Sequence, residues 1–309
     1  MDPDTAPPRS GPPARAQPRA ALGAAWLEQA IHRVAPISPW ALRLLSMSPD
    51  AEGSDTALCT LISSDPALVA RVLGTANSRA FNTGGADIAQ VDHAIRRLGT
   101  REVWRIAAVL ALGASARIRP PLRGAKRALW AHSFTVAHAA RAVARAAARE
   151  PVDPDGVYVA GLLHDIGLMV LLSTEPERSA TMLARASDPS VGWSPALEAE
   201  VGLPPHARIG AALCRHWGLP DALVLRVDAH GRIHPLDQPA HDRPAAAALE
   251  LGHQLAESVT DRSAAHRRVT RDDAPLLRTF LRVPEAEVER IRAALVDAGP
   301  RIAAIADAA

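Results

Sequence analysis

From Asp65 to Ala111 the apolar residues recur every three to four positions, the repeat of helices that each bury one face. Asp65-Pro66 reads as an N-cap followed by Pro at the first helical position, and Leu68, Val69, Val72, Leu73 and Ala76 continue the pattern. Asp87 opens a second helix, with Ile88, Val91, Ile95 and Leu98 on one face and Gly99 as its stop. Thr100 caps a third, carrying Val103, Ile106, Ala107, Leu110 and Ala111. The Pro120-Pro121 pair makes residues 115–124 the best internal boundary, because consecutive prolines cannot continue a helix. A long helix over 126–149 follows, broken by residues 150–155, and the next helix carries a His-Asp pair. Further helices are expected over 205–217, 221–230 and 244–259, with two more after Asp273. Residues 231–243, rich in Pro, His and Asp, read as an exposed irregular loop. Strand-like alternation is absent, so the pattern predicts an all-α fold.

Composition adds a boundary and removes some functions. Residues 1–20 have Pro every few positions and almost nothing apolar to offset ordering entropy, which predicts a disordered tail. The remaining chain, in a protein of 309 residues and 48% apolar content, suffices for one large or two small domains. No apolar run reads as approaching the roughly 20 residues of a spanning helix, and the N-terminus lacks a signal-peptide pattern, so a cytoplasmic protein without membrane contact is expected. Cys59 and Cys214 lack ligand spacing and read as small buried hydrophobes. Net charge is +2, and Lys126 is the only Lys among abundant Arg, a skew of GC-rich coding that weakens any reading of one Arg as a phosphate ligand.

The chemistry concentrates in Gly161-Leu162-Leu163-His164-Asp165-Ile166-Gly167, a His-Asp dipeptide inside an apolar run that continues to Leu172. A carboxylate in such a run is expected to be buried, and an uncompensated buried carboxylate costs several kcal/mol. A metal ion, a cationic partner or a tight hydrogen-bonded pair must offset it. Other histidines fall on separate predicted helices: His132 in the long preceding one, His206 opening one after Pro204-Pro205, His230 ending one, and His253 within a later one. Imidazoles and a carboxylate gathered from several helices suit a divalent transition metal such as Fe, Mn, Zn or Ni. His32, His93, His138, His216, His234, His241 and His266 are treated as background.

The order His132, His164-Asp165, His206 and His230 resembles the HD superfamily of metal-dependent phosphohydrolases, and more narrowly the HDOD domains, HD-related output domains of bacterial signalling. The resemblance extends to residues 36–45, Asp65-Pro66-Ala67-Leu68, Ala76-Asn77-Ser78, residues 94–99, residues 129–133 and residues 210–220, in family order over about 34–260. It implies an N-terminal helical lobe (21–124) packed on an HD-like helical lobe (125–262), followed by C-terminal helices (263–309). It also implies metal ligation by His132, His164, Asp165, His206 and His230. Three departures stand out. Leu168 occupies the position where HD hydrolases often have a phosphate-holding Lys. Only Ala229-His230-Gly231-Arg232 stands where the cyclic-dinucleotide hydrolases add further signatures. His253 stands where a final Asp ligand is expected, with Glu250 and Glu257 on its helical face as substitutes.

Leu168 and His253 both remove charge complementarity from a site that would have to stabilise phosphoryl oxygens. The expectation is therefore a non-catalytic regulatory protein that works through contacts with other signalling proteins. The alternative is a metal-dependent phosphohydrolase with no catalytic residue beyond the metal set. A third reading takes the basic stretch 96–127 as a nucleotide or nucleic-acid track; few aromatics interleave its cations, and a solvated helix face is preferred, so nucleic acid is not expected as a partner.

Overall fold

The computed structural model describes residues 22–34, 37–113, 118–148, 152–187, 193–259 and 273–309. The tail expected at residues 1–20, Arg117 and His266 lie outside them. Among the described residues the chain is helical, without a strand, as the periodicity predicts. Its first half contributes α1 (Ala24–Arg33), α2 (Pro39–Ser46), α3 (Ser54–Ser63), α4 (Pro66–Ala76), α5 (Val91–Leu98) and α6 (Thr100–Gly113). A 3-10 turn at Pro120–Leu122 leads into α7 (Arg123–Ala146), followed by α8 (Pro154–Leu163), α9 (Ile166–Thr174), α10 (Pro176–Ala186), α11 (Pro195–Glu200) and α12 (His206–His216). Then come α13 (Asp221–Ala229), a 3-10 turn at Pro235–Asp237, α14 (Arg243–Val259), α15 (Ala274–Leu281) and α16 (Glu285–Ala308).

The capping residues read from sequence act as expected at α4, where Asp65 accepts from the backbone N–H groups of Ala67 and Leu68. The second predicted helix starts at Val91 rather than Asp87. The cause is Asn77, whose side-chain amide donates to Ile88 O at 2.8 Å and accepts from Ile88 N at 2.7 Å. That two-way bond keeps Ile88 out of the helix and delays its start. The long helix runs from Arg123 to Ala146, shifted towards the N-terminus of the expected 126–149. Residues 231–243 are not simply an exposed loop: they contain a 3-10 turn, bury Pro235, Gln238 and Asp242, and tie Asp242 to Arg226 of α13 at 2.7 Å.

Helix α7 is the centre of the second half, packed against α8, α14 and α16, while α12 packs on α9 and α13. These helices approach closely because glycine sits at the crossings. A Cβ on Gly161 of α8 would lie 2.6 Å from Ala137 Cα, and one on Gly252 of α14 would lie 2.4 Å from Ala140 Cα. Helix α6 connects the two halves of the chain: it packs on α2 through Trp104, which is fully buried and donates from its indole to Leu44 O at 2.8 Å, and α16 touches α4, α6 and α7 together. Pro154–Thr174 is, by length and composition, apolar enough to cross a membrane, which corrects the sequence reading that no such run exists; 89% of its apolar window is buried inside the protein.

Candidate metal centre

The expected single helix through the His-Asp pair is instead two. His164 ends α8 and Asp165 opens α9, with a turn between them. His164 explains the break: its Nδ1 sits 2.7 Å from Gly161 O, the carbonyl that the Asp165 N–H would use if the helix continued. The turn sends the His164 and Asp165 side chains to one centre, which an unbroken helix would have pointed about 100° apart.

All six residues expected from sequence are gathered there. Asp165 Oδ2 lies 3.1 Å from His164 Nε2 and 3.6 Å from His132 Nε2; its Oδ1 lies 3.1 Å from His206 Nε2 and 3.8 Å from His230 Nε2. The His253 ring centroid is 5.0 Å from that of His132, 5.4 Å from His164 and 5.2 Å from His230. None of the six is more than 7% exposed. Glu257 backs His253 at 3.8 Å from its Nδ1, and Glu250 is hydrogen-bonded by Gln254, so neither carboxylate takes the place expected for the final Asp.

The donor set suits a divalent metal. Ligand atoms of His132, His164 and His253 lie within 4.8 Å of one another, as do those of His164, Asp165 and His230. The far nitrogens are oriented from behind, which fixes the inward atom as the ligand. His164 does this through Gly161 O, and His206 through Glu198, whose Oε1 is 2.5 Å from His206 Nδ1. Glu198 escaped the sequence reading. It is fully buried in the first turn of α11, also receives the indole N–H of Trp193, and lies eight residues before His206 across a turn, a spacing that carries no helical signal. An acidic residue in a short segment between two apolar ones was its only trace.

The metal-free electrostatics follow from this geometry. Burial would push His206 down, but Glu198, then Asp165, lift it to about 9. Its folded value thus exceeds the ordinary 6.5, so its contribution to stability is complete below pH 6.5 and is lost as pH rises through 9. Metal-free protein should therefore lose on the order of 2–3 kcal/mol between pH 7 and 10 in urea titrations. Glu198→Gln should flatten that slope, and an unchanged slope would mean that Glu198 does not charge His206.

The background histidines stay apart: His93 and His241 are exposed, His234 pairs with Asp273 at 3.0 Å, and His32 meets His216 edge-on at 5.1 Å. The basic stretch is largely paired within the protein: Arg96 with Asp92, Arg101 with Asp50, Arg105 with Glu102, Arg127 with Asp307 and Lys126 with Ala309 O. Cys214 is buried, which drives its thiol up to about 12, while Cys59 is only partly buried.

Comparison with known proteins bears on the fold and the family. An uncharacterized protein of Treponema pallidum (strain Nichols) is 28% identical over 194 residues, 59% of this chain and 34% of that protein, so the match spans about a third of the relative's length. Two solved structures share the fold. An HDOD domain protein of unknown function from Geobacter sulfurreducens is 21% identical with a TM-score of 0.67, covering 92% of this chain and 96% of its own. A provisionally named signal transduction protein from Marinobacter aquaeolei VT8 is 24% identical with a TM-score of 0.68, covering 91% of this chain and 64% of its own. The HDOD domain model matches residues 34–233, the span that runs from α2 through the His-Asp turn to His230, and the chain belongs to the HDOD domain family.

Proposed function

We propose that this protein is a non-catalytic regulatory unit of bacterial signal transduction, acting in the cytoplasm through contacts with other signalling proteins, with a metal in the His/Asp cluster as a structural element. The observation that carries this reading is access. The six residues are buried, and a pocket that reaches one of them, His230, offers about 10 Å³, room for a water-sized sphere rather than a phosphoester. Leu168, 3% exposed, supports it further, since its aliphatic chain can neither donate a hydrogen bond nor neutralise a phosphate. Arg96, Arg101 and Arg127 are exposed, but each is paired with a carboxylate of the protein, which offsets the positive field that a nucleic-acid track needs.

His132, His164, Asp165, His206, His230 and His253 would hold the ion. A divalent ion there would supply positive charge and, at an open position, a bound water of lowered pKa. That capacity supports the second reading, a metal-dependent phosphohydrolase. Protein purified without chelating resin should contain Fe, Mn, Zn or Ni and turn over neither phosphomonoesters nor cyclic dinucleotides. Leu168→Lys alone should leave it inactive, and activity should need His253→Asp as well. Metal-dependent hydrolysis by the wild type, abolished by His164→Ala with Asp165→Ala while circular dichroism is unchanged, would replace the first reading with the second.

A further inference from the structure

A cleft of about 360 Å³ opens where the start of α7 meets the end of α16, apart from the histidine cluster. Arg123, Lys126 and Arg127 of α7 line it, together with Asp307 and the apolar Ile118 and Ala306. Its volume suits a small organic molecule, whereas the pocket at His230 holds about 10 Å³.

The charges around this cleft are unevenly matched. Residues 123, 126 and 127 stand three and four positions apart, so three like charges share one face at the helix end whose dipole favours acids. The first turn of α7 contains no acid. Asp307 pairs with Arg127 at 3.3 Å, but both side chains are more than half exposed, which makes the pair weak. Lys126 donates to Ala309 O at 2.9 Å. Beside it Arg71 of α4 donates to Leu110 O at 2.8 Å and to Ala308 O at 2.7 Å, and the acid that acts on it, Asp65, is engaged in capping α4. Counting Ala309 as an acid, three acids face four bases, and among the described residues Arg123 has no acidic partner. Burial, then the charges of Arg71 and Arg123, hold the Lys126 amine below its ordinary value of 10.5.

We propose that this cleft binds a small soluble phosphomonoester, whose terminal phosphate is held by Arg123, Lys126 and Arg127. A phosphomonoester carries close to two negative charges at pH 7, which three cations on one helix face match better than a carboxylate would. The cleft is larger than a phosphate alone needs, and Ile118 and Ala306 give the organic part an apolar wall. A ligand seated there would join α7 to the end of α16, which Arg71 already ties to α4, so that binding bears on both halves of the chain.

The test uses the full chain and pyridoxal phosphate, whose aldehyde condenses with a lysine amine and is fixed there by borohydride. Lys126 is the only Lys, so the modified peptide reports on this cleft alone. Pyridoxal phosphate should label Lys126 at least about tenfold more readily than pyridoxal, and inorganic phosphate should compete. Arg123→Gln, at an exposed position, should reduce the labelling about tenfold without changing the fold. Lys126→Arg keeps the charge and removes the amine: it should escape labelling and still gain about 2–4 °C in thermal midpoint, saturably, from inorganic phosphate at tenfold its dissociation constant. Equal labelling by pyridoxal and its phosphate, no competition by inorganic phosphate, or unchanged labelling of Arg123→Gln would each overturn the proposal. Competition by an oligonucleotide without terminal phosphates, and none by inorganic phosphate, would overturn it in favour of a nucleic-acid contact.

Discussion

Asp165→Ala lowers the free energy of unfolding by about 3–5 kcal/mol, the range expected when one partner of a buried charge network is removed. Burial alone would raise the pKa of this carboxyl, but the charge of His164 and hydrogen bonds from His164 and His206 outweigh it and hold the group well below the carboxylate range. Asp165 is therefore the anion around which the imidazoles are arranged. Without it, His206 keeps Glu198 on one side and loses its partner at 3.1 Å on the other. The linkage has a definite sign. A depressed folded value gives stability that is present above the unfolded value near 4 and is lost as pH falls below it, so the variant should also lose part of the acid dependence. Asp165→Asn, which keeps the shape and removes the charge, should recover only part of the loss. Urea titrations at pH 7 check both, and an unchanged midpoint for Asp165→Ala would show that the carboxylate balances nothing.

Gly167→Ala should be nearly as damaging, at about 3 kcal/mol, although it adds a single methyl group and improves helix propensity. A Cβ there would lie 1.9 Å from His206 O and 2.8 Å from Gly210 N, both backbone atoms, so α9 and α12 would have to separate. Separation carries His206 away from Asp165 and should weaken metal retention along with stability. Gly74→Ala and Gly299→Ala are the controls. Nothing lies within 4 Å of the added atom at either, and each should be neutral or stabilising by up to about 1 kcal/mol. Thermal and urea unfolding of the four proteins, with metal content measured on each, separate close packing from a general intolerance of alanine. A Gly167→Ala protein as stable as the Gly299→Ala control would refute the packing argument.

Much of this protein is legible in its sequence. The all-α fold, the ends of α4, α12, α13 and α14, and the stop at Gly99 follow from periodicity and caps, which act within a few residues and leave local signatures. The six ligand candidates were readable because histidine is sparse in apolar helices and costly to bury without a partner. Three features needed the tertiary structure. Asn77 delays α5 by binding a residue eleven positions away, and His164 breaks its own helix by taking a backbone carbonyl, choices made by side chains that periodicity does not see. Glu198 meets His206 across the turn between α11 and α12, and the ligands on α7, α8 and α14 meet only where Gly161 and Gly252 let those helices approach. A buried charge declares in the sequence that it needs a partner; which group answers depends on how closely the helices approach, and that is fixed only when they pack.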